Sequence, residues 1–228
     1  MFFRLKKFIS VVLEWGQTGV YKGAYPTTVV RSEEMARSGK TAGKTRQLRI
    51  IGGKWRGRKL TFTPEQGLRP TTDRVRETLF NWLAPHILGA RCADLFAGSG
   101  ALGLEALSRG ASHCDFVDTS RTALAQIRTQ LTQLDCAAAA VCHLAPAEQF
   151  LREQNGHYDI VFIDPPFGLG LAGPTCALLN AQGRLSASAL VYVEMAAAEA
   201  APDTPLAWTL HRDKTAGDVA YRLFTTGQ

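Results

Sequence analysis

Asp94-Leu95-Phe96-Ala97-Gly98-Ser99-Gly100-Ala101-Leu102-Gly103 joins an apolar run at 92–96 to a helical pattern at 101–108. A strand, a glycine-rich turn and a helix in that order give Gly98-x-Gly100-x-x-Gly103 a meaning that the glycines alone lack. Glycines let a backbone approach a ligand, and an acid at the end of the following strand can accept ribose hydroxyls. Asp118 is that acid: it closes the next apolar run, 20 residues after Gly98 (118 − 98). Outward from this turn the alternation continues. Strands are expected at 92–96, 114–118, 139–144, 159–164 and 190–194, with helices at 101–108, 122–134, 147–154 and 174–180. Such spacing predicts a parallel sheet covered by helices on both faces. Residues 208–211 and 219–224 read instead as two strands joined by a short turn, a hairpin closing one edge. The expected fold is α/β and Rossmann-like: a mostly parallel seven-stranded sheet with an antiparallel C-terminal hairpin.

The glycine turn does not by itself separate a nicotinamide dinucleotide from S-adenosyl-L-methionine. Three features favour the latter. Asp94 precedes the turn, where a carboxylate meets an ammonium but repels a pyrophosphate. The terminal hairpin is foreign to the usual dinucleotide sheet. Lastly, the run Ile160-Val161-Phe162-Ile163 ends in Asp164-Pro165-Pro166-Phe167. Two prolines give up two backbone donors and fix the chain. The Asp164 carboxylate and the Pro165 carbonyl can each accept one N–H of an exocyclic amine, while Phe167 stacks on the base. Asp164, Pro165 and Phe167 are the candidate catalytic residues.

Charge is divided along the chain. Residues 1–76 hold 17 Lys/Arg and 5 Asp/Glu, while residues 77–228 hold 9 and 15, which together give the net +6. A basic arm on a mildly acidic body points to a polyanion, nucleic acid ahead of membrane. Within the arm, residues 48–66 read as a hairpin around Gly52-Gly53 that carries Lys54, Arg56, Arg58 and Lys59 with Trp55 among them. Cations interleaved with an aromatic suit a phosphate backbone and a stacked base. Residues 1–47 are expected to be a disordered basic extension, with Met35 an equally sensible start, and 67–228 the main domain. Thr72 or Asp73 is expected to cap a helix carrying Val75, Leu79, Phe80 and Leu83. The five cysteines contain no C-x-x-C pair, so reduced thiols in a cytoplasmic protein are expected, with no metal site and no membrane span.

Taken together, Arg49-Ile50-Ile51-Gly52-Gly53-Lys54-Trp55-Arg56-Gly57-Arg58, Leu68-Arg69-Pro70-Thr71-Thr72-Asp73-Arg74-Val75-Arg76-Glu77, the glycine turn and Asp164-Pro165-Pro166-Phe167 resemble the bacterial 16S ribosomal RNA (guanine(966)-N2)-methyltransferase family. The resemblance runs from about Leu48 to the end. It implies a class I methyltransferase that uses S-adenosyl-L-methionine to methylate a guanine N2 of 16S rRNA within the small (30S) ribosomal subunit; a monomer is the default expectation. By the same resemblance Asp94, Gly98, Gly100, Asp118, Ala147 and Thr71 fall at cofactor positions. Thr119 and Pro146 depart from the family pattern where adenine contacts are usual, which shifts those contacts toward the backbone. Alternatives from the residues alone are a DNA or other RNA amino methyltransferase, or an inactive RNA-binding assembly factor.

Overall fold

The computed structural model describes residues 45–63 and 72–227, which lie in one unit, Ala42–Gln228. The arm begins with β1 (Arg46–Arg49), a single 3-10 turn at Gly53–Trp55, and β2 (Lys59–Phe62), followed by α1 (Asp73–Leu83). The main domain then runs β3 (Arg91–Asp94), α2 (Ala101–Ser108), β4 (His113–Asp118), α3 (Arg121–Gln133), β5 (Ala140–Leu144), α4 (Ala147–Glu153), β6 (Tyr158–Ile163), α5 (Ala172–Ala181), β7 (Leu185–Ala196), β8 (Trp208–Ala216) and β9 (Val219–Thr226). Side-chain caps set two helix starts, at Thr72 as expected and at Ser120, which the sequence reading did not single out. Thr72 Oγ1 accepts the Val75 N–H at 3.4 Å, and Ser120 Oγ accepts the Ala123 N–H at 3.1 Å.

The sheet order is β5-β4-β3-β6-β7-β9-β8. The first five strands are parallel, and β9 is antiparallel to both its neighbours. Strands buried on both faces need near-continuous apolar residues, which β6 supplies with Ile160, Val161, Phe162 and Ile163, all fully buried. One core cluster fills the face under α1, α2 and α3, and another fills the face under α4 and α5. β7 begins earlier than the sequence pattern predicts. Its first residues are the weakly patterned Leu185-Ser186-Ala187-Ser188, and the register with β6 shifts between Tyr158 and Ile160, near Ser188 at φ 62.

The arm hairpin pairs Arg46 with Phe62 and Arg49 with Lys59, so it starts two residues before the boundary read from sequence. It does not stand apart from the body. Leu48, Ile50, Trp55, Leu60 and Phe62 are buried in the same core cluster as α1, α2 and α3. At roughly 1.5–3 kcal/mol per fully buried large apolar side chain, this seating is a substantial fraction of the fold's stability. Polar contacts direct it. Glu105 of α2 is fully buried and accepts the Ile51 and Gly52 N–H groups at 2.8 and 2.7 Å. Ser108 Oγ accepts the Trp55 N–H at 3.0 Å and donates to the Gly52 carbonyl at 2.6 Å. Gly53, at φ +74, lies so close to this helix end that a Cβ there would be 1.9 Å from the Ser108 carbonyl oxygen.

Cys92, Cys114 and Cys176 are buried and Cys136 and Cys142 half-buried, all as free thiols. Among the described residues no helix is long and apolar enough to cross a membrane.

Candidate functional site

β3 has β4 on one side and β6 on the other, so the chain's direction of travel across the sheet reverses there. In open α/β sheets the crevice at such a reversal, outside the carboxyl ends of the strands, is where ligands bind. Asp94 pairs in register with Phe162, and the Leu95 N–H donates to the Phe162 carbonyl at 3.1 Å. The glycine turn and the Asp164-Pro165-Pro166-Phe167 segment therefore leave the sheet side by side.

In the turn, Gly98 and Gly100 have φ 51 and 77, left-handed values that favour glycine. The Asp118 carboxylate ties the turn to the next strand. One oxygen accepts the Gly98 N–H and the other the Ser120 N–H, both at 2.7 Å. Each oxygen keeps a further lone pair for a hydroxyl donor. Asp94 lies beneath the turn, 1% exposed, and accepts the Gly103 N–H at 3.1 Å. Burial pushes its pKa up to about 7; the Gly103 and Phe96 N–H groups pull it down, and the Asp118 charge adds to the rise. Ala147, the first residue of α4, is buried behind Pro146, and the Ala145 N–H donates to the Asp118 carbonyl at 3.1 Å. Asp94, Gly98, Gly100, Asp118 and Ala147 thus fall along the adjoining ends of β3, β4 and β5. Thr71 lies outside the described residues.

At the end of β6, Asp164 is half-buried, Pro165 buried and Phe167 38% exposed. Asp164 is near enough to Tyr192 for its charge to help burial and Glu194 raise the pKa of that hydroxyl. The chain beyond Phe167 is held by the Gly168 N–H, which donates to Glu199 Oε1 at 2.6 Å. A cavity of about 620 Å³ lies against this loop, between Pro174 of α5, Met195 of β7 and Asp203, and includes no residue of the glycine turn. The crevice between β3 and β6, where the candidate groups converge, is the better placed site.

The hairpin cations Lys54, Arg56, Arg58 and Lys59 are exposed; Arg58 donates to the Gln133 carbonyl at 3.4 Å. Trp55 corrects the sequence reading. Its ring is 7% exposed and sits in the core, with the Lys54 ammonium 5.7 Å from the ring centroid, so it offers no face to a base. Sequence reasoning also passed over Arg76 and Glu105. Arg76 is 1% exposed, donates to the Arg49 carbonyl at 3.0 Å, pairs with Asp73 and lies 3.6 Å from Glu105. The available signal was two charges inside otherwise apolar helical stripes.

The family model described as "Conserved hypothetical protein 95" matches residues 48–225. The chain is 52% identical over 178 residues to ribosomal RNA small subunit methyltransferase D of Escherichia coli (strain K12), spanning 78% of this chain and 89% of that one. The chain belongs to this family. Its relative of the same name in Haemophilus influenzae is 45% identical over 181 residues, spanning 78% of this chain and 93% of that one. The solved structure of yhhF from Escherichia coli superposes at TM-score 0.73 with 48% identity, covering 80% of this chain and 99% of that chain. An RNA methyltransferase from Salinibacter ruber, solved with S-adenosyl-L-homocysteine, shares the fold at TM-score 0.54 and 13% identity, over 70% of this chain and 95% of that one. As a member of the methyltransferase D family, the chain is a methyltransferase with a Rossmann-like fold.

Proposed function

We propose that this methyltransferase transfers a methyl group from S-adenosyl-L-methionine to the exocyclic N2 of one guanine, position 966, of 16S rRNA, acting as a cytoplasmic monomer on the small ribosomal subunit. The supporting observation is the adjacency of the glycine turn and Asp164-Pro165-Pro166-Phe167 at the reversal point of the sheet.

The residues around the turn fit the cofactor. Asp94 is a buried carboxylate that a ligand ammonium would neutralise, and Asp118 is braced by two backbone N–H groups with lone pairs to spare for a diol. Gly98, Gly100 and Ala147 would complete the enclosure. When bound, S-adenosyl-L-methionine supplies an electrophilic methyl on a sulfonium.

A guanine amino group is a poor nucleophile because its lone pair is spread into the ring. The Asp164 carboxylate and the Pro165 carbonyl accept its two N–H groups and hold the nitrogen pyramidal, with its lone pair freed. Phe167 stacks on the base and sets its plane; its 38% exposure leaves a ring face accessible. Positioning and electrostatics carry the rate, and Asp164 need not be a strong base because the proton leaves after the methyl has arrived. The base reaches this pocket only when unstacked. Lys54, Arg56, Arg58 and Lys59 contact the RNA backbone.

The test is transfer of a labelled methyl to small subunits from cells lacking this gene, followed by mass-spectrometric mapping of the modified nucleotide. Asp164→Ala should lose at least about 100-fold in kcat, the scale of losing one preorganised transition-state contact. Unlabelled wild-type reactions, or an Asp164→Ala rate equal to wild type, would overturn the reading. Digestion of the labelled product by RNase or DNase separates RNA from DNA as the acceptor.

A further inference from the structure

Beyond Lys59, the chain contains a single lysine, Lys214. It lies on β8, the free edge of the sheet, two residues after Arg212. The body from 77 to 228 holds only 9 Lys/Arg, and Arg212, Lys214 and Arg222 are three of them. Arg222 is paired with Asp213 at 3.4 Å, which neutralises the one acid in this stretch of β8. Arg212 donates to the His211 carbonyl at 2.9 Å, and neither it nor Lys214 has an acid partner among the described residues. Both side chains are exposed. An otherwise acidic body thus carries two uncompensated cations on an open strand.

Their register gives them a direction. Arg212 pairs with Leu223 and Lys214 with Tyr221, and residues paired across a ladder project to the same face. Leu223 and Tyr221 belong to the core cluster that also holds the arm hairpin, so Arg212 and Lys214 share the hairpin's face of the sheet. Tyr221 pairs in turn with Glu194, and Val193 with Ile163, which puts Lys214 level with Asp164. The strand order β6-β7-β9-β8 separates them by three strand spacings of about 4.8 Å, roughly 14 Å.

We propose that Arg212 and Lys214 form a second phosphate-binding site for the RNA substrate, on the flank of the pocket opposite the arm hairpin. The inference rests on the RNA reading above and adds a surface to it. The hairpin rides on α2 and α3 beside β3 and β4, whereas β8 is the far edge of the same sheet. RNA strands entering and leaving the pocket are therefore held on both sides of the unstacked base. Two anchors resist the recoil of a base pulled out of its stack, which a single anchor allows.

The test is binding and turnover with small subunits from cells lacking this gene, titrated over a series of KCl concentrations. For Arg212→Gln/Lys214→Gln the slope of log K against log[salt] should become shallower by about two, since each phosphate contact contributes about one. KM for the subunits should rise several-fold with kcat and cofactor affinity unchanged, while Arg212→Lys/Lys214→Arg should restore both slope and KM. An unchanged slope and KM overturn the inference. In that outcome the charges only keep an open edge from pairing, and the variant should dimerise on size exclusion. If the wild type methylates a subunit RNA and only this double variant behaves as wild type, the flank site alone falls. If the wild type neither binds nor methylates the subunits, the RNA reading falls with it.

Discussion

Asp94 carries a conflict between burial and charge. At 1% exposure its pKa is pushed up to about 7, against 3.8 for an ordinary aspartate. Below both values the group is protonated whether folded or unfolded, and its contribution to stability is fully present. Between about 4 and 7 the folded state holds the proton that the unfolded state has released, so stability falls as pH rises through this window. The steepest descent is about 1.4 kcal/mol per pH unit. Asp94→Asn should flatten that segment of a urea-midpoint curve against pH. An ammonium placed on Asp94 favours the anion, so cofactor binding near pH 6.5 should release protons, measured as a buffer-dependent calorimetric enthalpy that Asp94→Asn abolishes. The positions of Asp118 and Asp164 at strand ends were legible because each stands where an apolar run stops, and that of Asp94 because the glycine turn follows it. Trp55 misled because an aromatic between cations reads the same whether it stacks on a base or anchors a turn; only the seating of the hairpin on α2 decides.

At the scale of elements, the joint between hairpin and α2 is the most demanding contact. Glu105 accepts two backbone N–H groups and the Arg109 Nε–H at 2.8 Å, and faces Arg76. Glu105→Ala leaves those donors and a buried guanidinium without their anion, a loss of about 3–5 kcal/mol by urea denaturation. Pairing Glu105→Leu with Arg76→Met should recover only the part due to the Arg76 charge, since the Ile51 and Gly52 N–H groups and Arg109 still lose their acceptor. Gly53→Ala is expected to shift the hairpin, because its φ of +74 and the 1.9 Å approach to the Ser108 oxygen both refuse a side chain. The start of α1 was readable from Thr72, which caps locally. Glu105 was not, because its partners lie 53 and 54 residues away in sequence and no periodicity within α2 announces a lid above it.

At the scale of the molecule, alternation of apolar runs and helical stretches revealed the layers and the antiparallel end. The early start of β7 was hidden, since small residues at 186–189 carry no strand pattern and pair only through a register shift against β6. The site is assembled from loops at the ends of β3, β4, β5 and β6, so occupancy should brace the whole sheet. Saturation with S-adenosyl-L-homocysteine at about 100 times its Kd adds about 2.7 kcal/mol. For a chain of this size that should raise Tm by about 5–11 °C, measured by scanning calorimetry. Asp118→Ala should lose most of the rise.

The close fit of Gly52 and Gly53 against α2 also bears on how this enzyme can be rebuilt. A Cβ on Gly52 would come within 2.5 Å of the Arg109 guanidinium, and one on Gly53 would strike the backbone of Ser108. An arm with so little clearance is keyed to one helix surface. Transplanted onto another methyltransferase, residues 46–62 would arrive without their socket, so the smallest portable module is the arm together with the Glu105, Ser108 and Arg109 face of α2 and the parts of α1 and α3 that carry Arg76 and Gln130. Chimeras that exchange the arm with its whole socket should fold, and those that exchange the arm alone should expose its apolar underside and aggregate.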